Sequence, residues 1–121
     1  MSDHLYGAVL EGTAEIKIKK IKIPKLKKGQ VLVKIICSGV CRSQLMEYYG
    51  RRGKDKWIPH LLGHEASGTV LDIGPSVTKF KPNDDVILTW LKCDGLEGAK
   101  IKYKHNEQII NSGSVTTFSN Y

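Results

Sequence analysis

A thiol and an imidazole stand in two short stretches, Gly39-Val40-Cys41-Arg42-Ser43 and Leu62-Gly63-His64-Glu65. Thiolate and imidazole are the donors zinc prefers, and a catalytic zinc takes three protein ligands and keeps one position open for water or substrate. Each stretch puts its candidate donor on a turn beside a glycine, where the backbone can aim a side chain without a Cβ conflict. Spacing alone favours the plainer reading, in which Cys41 and His64 are unrelated and Cys41 is a small buried apolar group. His60 and His64 form an H-x-x-x-H pair that would share one helix face, but Pro59 and Gly63 oppose a helix there, so His60 is not expected to be a ligand. His4 and His105 lie in polar surroundings. Trp57 and Trp90 are read as core or cleft-lining residues.

The elements that must position these residues are mostly strands. In Glu15–Ile23, Ile16 and Ile18 share one parity and Ile21 and Ile23 the other. A slip at Lys19-Lys20 would explain this as a bulge, because one inserted residue flips every later side chain. Pro24 ends that strand by removing a ladder donor. A second strand is expected over Val31–Cys37 with Val31, Val33 and Ile35 inward, followed by a short helix over Ser43–Tyr49. A third strand fits Ser67–Ile73, stopped by Gly74-Pro75. Lys81-Pro82-Asn83-Asp84 reads as a tight turn, since proline presets one torsion and asparagine tolerates positive φ, and it leads into a strand at Val86–Leu91. The remainder offers strand at Lys100–Lys104, a turn at His105-Asn106-Glu107, and extended chain at Gln108–Ile110 and Val115–Tyr121. Many short strands with one short helix predict a mainly β fold, a small irregular barrel.

Composition narrows the function classes. The 121 residues fit one domain, carry 19 Lys+Arg against 12 Asp+Glu, and have a net charge of +7. No stretch approaches the ~18 apolar residues of a membrane span, and the first residues lack a secretory signal's basic start and apolar run. Three cysteines disfavour a disulfide framework and suit reduced thiols in a cytoplasmic protein. Lys17, Lys19, Lys20, Lys22, Lys25, Lys27, Lys28, Lys34 and Arg42 fall in a run without acidic residues between Glu15 and Glu47. Such a surface could meet a polyanion. No aromatic residue is interleaved to stack on bases, which favours a solvated strand face that discourages edge pairing.

Four ordered motifs go further: Ser38-Gly39-Val40-Cys41-Arg42-Ser43, Gly63-His64-Glu65-Ala66-Ser67-Gly68, Ile73-Gly74-Pro75-Ser76-Val77-Thr78 and Lys81-Pro82-Asn83-Asp84-Asp85-Val86. Together they resemble the N-terminal GroES-like domain of the medium-chain, zinc-dependent alcohol dehydrogenases, and a bacterial branch of that family also carries the Cys-Arg-Ser-Gln-Leu-Met run. The resemblance implies a GroES-like irregular β-barrel with one short helix over residues 1–121, incomplete at its C-terminal end. It implies Cys41 and His64 as ligands of a catalytic Zn2+, and Glu65 beside the metal, able to approach it when ligands exchange. Ser43 would accept the proton of a substrate hydroxyl that zinc has acidified, and Arg42 would contact the pyrophosphate of NAD or NADP. The implied activity is hydride transfer between a small alcohol or aldehyde and NAD(P), in a possible homo-oligomer with no membrane or nucleic-acid partner.

Departures from the family pattern carry their own expectations. Where relatives often have an aspartate that orients the zinc-bound histidine, this chain has Gln44, and the position of a relay histidine is Met46. A structural zinc needs four cysteines, and only Cys93 lies in the corresponding lobe. Cys37 is expected to face the core. The third zinc ligand and the Gly-x-Gly-x-x-Gly turn of a nucleotide domain are expected beyond Tyr121, which predicts a chain inactive by itself. Two other classes stay open: a non-catalytic GroES-like interaction module, and a basic polyanion-binding β-domain whose binding would weaken steeply with salt.

Overall fold

The computed structural model describes residues 2–121 and builds them into two sheets and one short helix. The strands are β1 (His4–Gly12), β2 (Glu15–Lys22), β3 (Val31–Ser38), β4 (His60–Leu61), β5 (Ala66–Ile73), β6 (Asp85–Leu88), β7 (Tyr103–His105) and β8 (Gln108–Ser112), with helix α1 (Arg42–Tyr48) between β3 and β4. One sheet is five-stranded in the order β2-β1-β4-β8-β7, and the other is three-stranded in the order β3-β5-β6. The five-stranded sheet curls until its two edges meet, where the His105 ring Nδ1–H donates to the Lys20 carbonyl at 2.8 Å. Closing the edges in this way removes an unpaired strand edge. The result is the mainly β, irregular barrel with one short helix that the sequence predicts.

The barrel core is Leu5, Val9, Ile21, Leu61, Tyr103 and Ile110. Leu5, Gly7 and Val9 alternate along β1 and point inward, as the period of two requires. β4 is only two residues long, yet it is central: it pairs antiparallel with β1 (Val9↔Leu61) and parallel with β8 (Leu61↔Ser112). In the smaller sheet, Gly68 on β5 lets the chain pass close to β3, because a Cβ there would stand 2.3 Å from the Lys34 carbonyl oxygen. No helix among the described residues is long and apolar enough to cross a membrane.

Several expectations need correction. The β1–β2 register runs without a break from His4↔Lys22 to Leu10↔Ile16, so the irregularity lies at Leu10/Gly12 on β1 and not at Lys19-Lys20. Ile21 enters the core, whereas Ile18 is 70% exposed on the other face of the same strand. Cys37 is exposed rather than core-facing; a register shift between Ile35 and Cys37 turns the end of β3 outward. β6 stops at Leu88, three residues short of the expected Leu91. Val115–Tyr121 forms no strand of its own. It lies beside β1, with the Ala8 N–H donating to the Phe118 carbonyl at 2.8 Å and the Asn120 N–H to the Tyr6 carbonyl at 3.2 Å. β1 itself is not anticipated in the sequence reading.

Candidate metal centre

Cys41 is the N-cap of α1, held in extended conformation at φ −88° and ψ 154°. Its backbone N–H donates to Gln44 Oε1 at 2.9 Å, the backward bond of a capping box. The same Gln44 side chain is 5% exposed, and its Nε2 lies 2.6 Å from His64 Nδ1. Because the amide oxygen is committed to the Cys41 N–H, the amide nitrogen donates to His64 Nδ1. That bond places the proton of a neutral His64 ring on Nε2. Gln44 therefore couples the two candidate ligands through one side chain.

His64 is aimed by the residue before it. Gly63 has φ +98°, and a Cβ at that position would fall 2.3 Å from Thr117 Oγ1 and 2.7 Å from the Phe118 nitrogen. Only glycine takes that turn without strain, so the Thr117-Phe118 segment presses against the turn and the imidazole is presented toward Cys41. Glu65 follows at the entry to β5, and its carbonyl accepts the Gly39 N–H at 2.8 Å. This bond ties the cysteine loop to the histidine loop. Cys41 Sγ, one His64 ring nitrogen and one Glu65 carboxylate oxygen all lie within 4.8 Å of one another. His64 Nε2 and Glu65 Oε1 are 3.7 Å apart.

The electrostatics favour a ligating thiolate. The hydroxyl of Ser43, then its backbone N–H, holds the Cys41 thiol below its ordinary pKa; burial and the Glu65 carboxylate oppose this, and the Arg42 backbone reinforces it slightly. The Ser43 hydroxyl oxygen is buried and makes no hydrogen bond of ordinary geometry. Its influence on the sulfur is thus one of proximity rather than of a well-formed bond. A buried, unpartnered hydroxyl beside a thiol and an imidazole is a group free to serve a bound molecule. Arg42 is exposed and joins no ion pair among the described residues.

Of the residues predicted for the site, Cys41, His64 and Glu65 are brought together and Ser43 acts on the Cys41 thiol, while Arg42 follows Cys41 as the exposed first residue of α1. His60 is not among them; it bonds Asp55 instead, at 2.8 Å. Trp90 is 59% exposed and its ring meets that of His64 edge-on, centroids 6.4 Å apart, so it stands beside the centre. Trp57, 56% exposed, lines neither core nor centre. Three contributions escaped the sequence reading. The capping role of Gln44 had a signal, a Gln three residues after an N-cap candidate. Thr117 and Phe118 had none, because their contact with Gly63 joins distant parts of the chain.

Comparison with known proteins shows the family of the chain. The family model described as alcohol dehydrogenase GroES-like domain matches residues 27–121. A sorbitol dehydrogenase of Bombyx mori is 38% identical over 85 residues, covering 69% of this chain and 24% of the relative. A D-arabinose 1-dehydrogenase (NADP(+)) of Saccharolobus solfataricus is 32% identical over 121 residues, covering 95% of this chain and 34% of the relative. Among solved structures, an alcohol dehydrogenase zinc-binding domain protein from Burkholderia ambifaria superposes with a TM-score of 0.67 at 27% identity, over 74% of this chain and 24% of that one. The chain thus spans between a quarter and a third of the length of these curated relatives.

Proposed function

Since the chain belongs to the alcohol dehydrogenase GroES-like domain family, we propose that it supplies the catalytic-zinc end of an alcohol or aldehyde oxidoreductase that exchanges hydride with NAD or NADP. The domain assignment is one GroES-like unit over residues 1–121. The observation that carries the reading is the convergence of Cys41, His64 and Glu65 within 4.8 Å, next to the unpartnered Ser43 hydroxyl. A soft thiolate, an imidazole and a carboxylate form a donor set that suits zinc, and the lowering of the Cys41 pKa by Ser43 favours the thiolate that would bind it.

Zinc bound there would act as a Lewis acid on an alcohol oxygen. The chain's own residues do the rest. Cys41 and His64 would hold the metal, His64 through Nε2 once its ring proton sits on Nδ1 and the Gln44 amide turns its oxygen to accept it, and Glu65, half exposed, stands close by, its Oε1 3.7 Å from His64 Nε2. Ser43 accepts the alcohol proton, which needs a hydroxyl with a free lone pair at that place. Arg42, exposed on the first turn of α1, offers its guanidinium fork to the cofactor's pyrophosphate. Trp90 forms an apolar wall beside His64 and limits what can approach. Met46 cannot carry a proton, so its passage outward from Ser43 falls to water or another group.

The lysine-rich β2 favours the plain reading of its charge. Lys17 pairs with Glu15 at 3.1 Å and Lys19 pairs with Glu11. Turnover is assigned to the chain together with the additional length its relatives possess. The 121-residue chain with zinc, NAD+ or NADP+ and an alcohol is expected to reduce no nicotinamide. Fused ahead of the remaining length of a matched relative, it is expected to restore that relative's oxidation of its alcohol, and Cys41→Ser or His64→Ala to abolish it. A folded, active chimera indifferent to both substitutions would overturn the proposal.

A further inference from the structure

A second group of donors stands apart from the Cys41 centre. Glu47 in α1, Asp55 in the loop beyond it and His60 at the start of β4 each offer one donor atom, and these three atoms lie within 4.8 Å of one another. The His60 Nδ1–H donates to Asp55 Oδ2 at 2.8 Å, and the two side chains are 15% and 7% exposed. Asp55 Oδ1 accepts the Trp57 N–H at 2.8 Å, while the Trp57 carbonyl accepts from Asn111 Nδ2 at 2.8 Å. The Asn111 N–H in turn donates to the Pro59 carbonyl at 2.9 Å. The loop bearing Asp55 is therefore tied to β8, and the donors are held in place by the framework.

What this group lacks is a cation. Glu47 Oε2 is buried and has no hydrogen-bond partner. Each ion pair of a lysine among the described residues uses another carboxylate, that of Glu15, Glu11, Asp84 or Glu97. A desolvated carboxylate oxygen without donor or counter-ion is costly, and native proteins satisfy such atoms with protein, water or metal. Two carboxylates against one imidazole leave the group with excess negative charge.

We propose that Glu47, Asp55 and His60 form a sulfur-free site for a divalent transition metal, zinc first. One imidazole nitrogen and two carboxylate oxygens are zinc ligands, and three protein ligands leave a position open. Ligands about 2.0–2.2 Å from zinc stand roughly 3.5 Å apart in a tetrahedral array, so donor atoms lying within 4.8 Å of one another need to shift by little more than about 1 Å. A metal held by one donor atom of each residue would give the Glu47 carboxylate the cationic partner it lacks among the described residues. The imidazole nitrogen places this site above the magnesium and calcium class, which favours oxygen alone. This site does not depend on the function proposed for Cys41 and His64.

The test removes the first centre and asks whether metal still binds. The full chain carrying Cys41→Ser and His64→Gln is titrated with Co2+, read by equilibrium dialysis and visible absorption, with circular dichroism as the check on folding. One Co2+ per chain is expected, with ligand-field bands and no thiolate charge-transfer band. Adding Glu47→Gln or Asp55→Asn to that background is expected to weaken binding at least about tenfold, the lower end of what even an outer partner of a ligand is worth. Zn2+ is likewise expected to raise the Tm of the background chain and not that of its Glu47→Gln derivative. A background chain that binds no Co2+, or binding unchanged by both Glu47→Gln and Asp55→Asn, overturns the site. Failure of the Cys41 centre shows separately, as a missing charge-transfer band in the unsubstituted chain.

Discussion

Gly63→Ala tests how His64 is aimed. At φ +98° an alanine occupies a backbone region that costs about 1–3 kcal/mol. Its Cβ would also lie 2.3 Å from Thr117 Oγ1, 2.7 Å from Phe118 Cδ1 and 2.7 Å from the Phe118 nitrogen. The hydroxyl can rotate away, but the backbone nitrogen cannot move without stretching its 3.1 Å bond to the Leu62 carbonyl. Overpacking of this kind costs about 1–3 kcal/mol. The two contributions share the same atoms and need not add fully, so the expected loss is about 2–5 kcal/mol. Urea unfolding of the purified chain reads it as a lower midpoint at constant slope. Thr117→Ala removes the nearest contact and is expected to recover part of the loss in the double variant. A Gly63→Ala chain within about 0.5 kcal/mol of the parent, the range of an unremarkable surface change, would refute both the strain and the packing argument.

Three further outcomes are expected. Gln44→Glu keeps the side-chain length but offers only acceptors, so it would favour the tautomer whose Nδ1–H donates to the carboxylate and whose Nε2 is free for metal; Zn2+ affinity is expected to rise about 10–100-fold in competitive chelator titration, and no change would deny Gln44 its link to His64. Because the Ser43 hydroxyl and backbone lower the Cys41 pKa, its thiolate persists to lower pH: the alkylation rate at Cys41 is expected to reach half its plateau below the pH of an ordinary thiol and to decline as pH falls through that lowered value, with the midpoint moving upward in Ser43→Ala. Peptide mapping of iodoacetamide adducts across pH checks this. Ile110→Ala empties a fully buried position of the core and is expected to cost about 2–5 kcal/mol in denaturant unfolding.

Period-two patterning made β3 and β5 legible within a residue, and Pro82-Asn83 marked a turn in which Asn83 does take φ +75°. The change of parity in β2 was misread because both faces of that strand meet apolar groups. Ile16 looks onto a surface cleft with Ala8, Val40 and Phe118, whereas Ile21 enters the core. The covered face changes along the strand while the backbone register stays intact. β4 left no local signal: two residues, His60 and Leu61, exist as strand only because β1 and β8 flank them. At the centre, spacing could not bring Cys41 and His64 together. The four family motifs did so, and Gln44 supplies the physical link between them. The group of Glu47, Asp55 and His60 was hidden by the same limit, since its members come from a helix, a loop and a strand.

The most direct measurement is the absorption spectrum of the unsubstituted chain with Co2+ in place of zinc. A metal held by Cys41 and His64 predicts a thiolate-to-cobalt charge-transfer band that saturates at one equivalent of that site. Cys41→Ser should abolish the band and His64→Ala should weaken it, while substitution of the exposed Cys37 and Cys93 should leave it intact. No band at saturating Co2+, or a band that survives Cys41→Ser, would contradict the metal centre on which the proposed function stands.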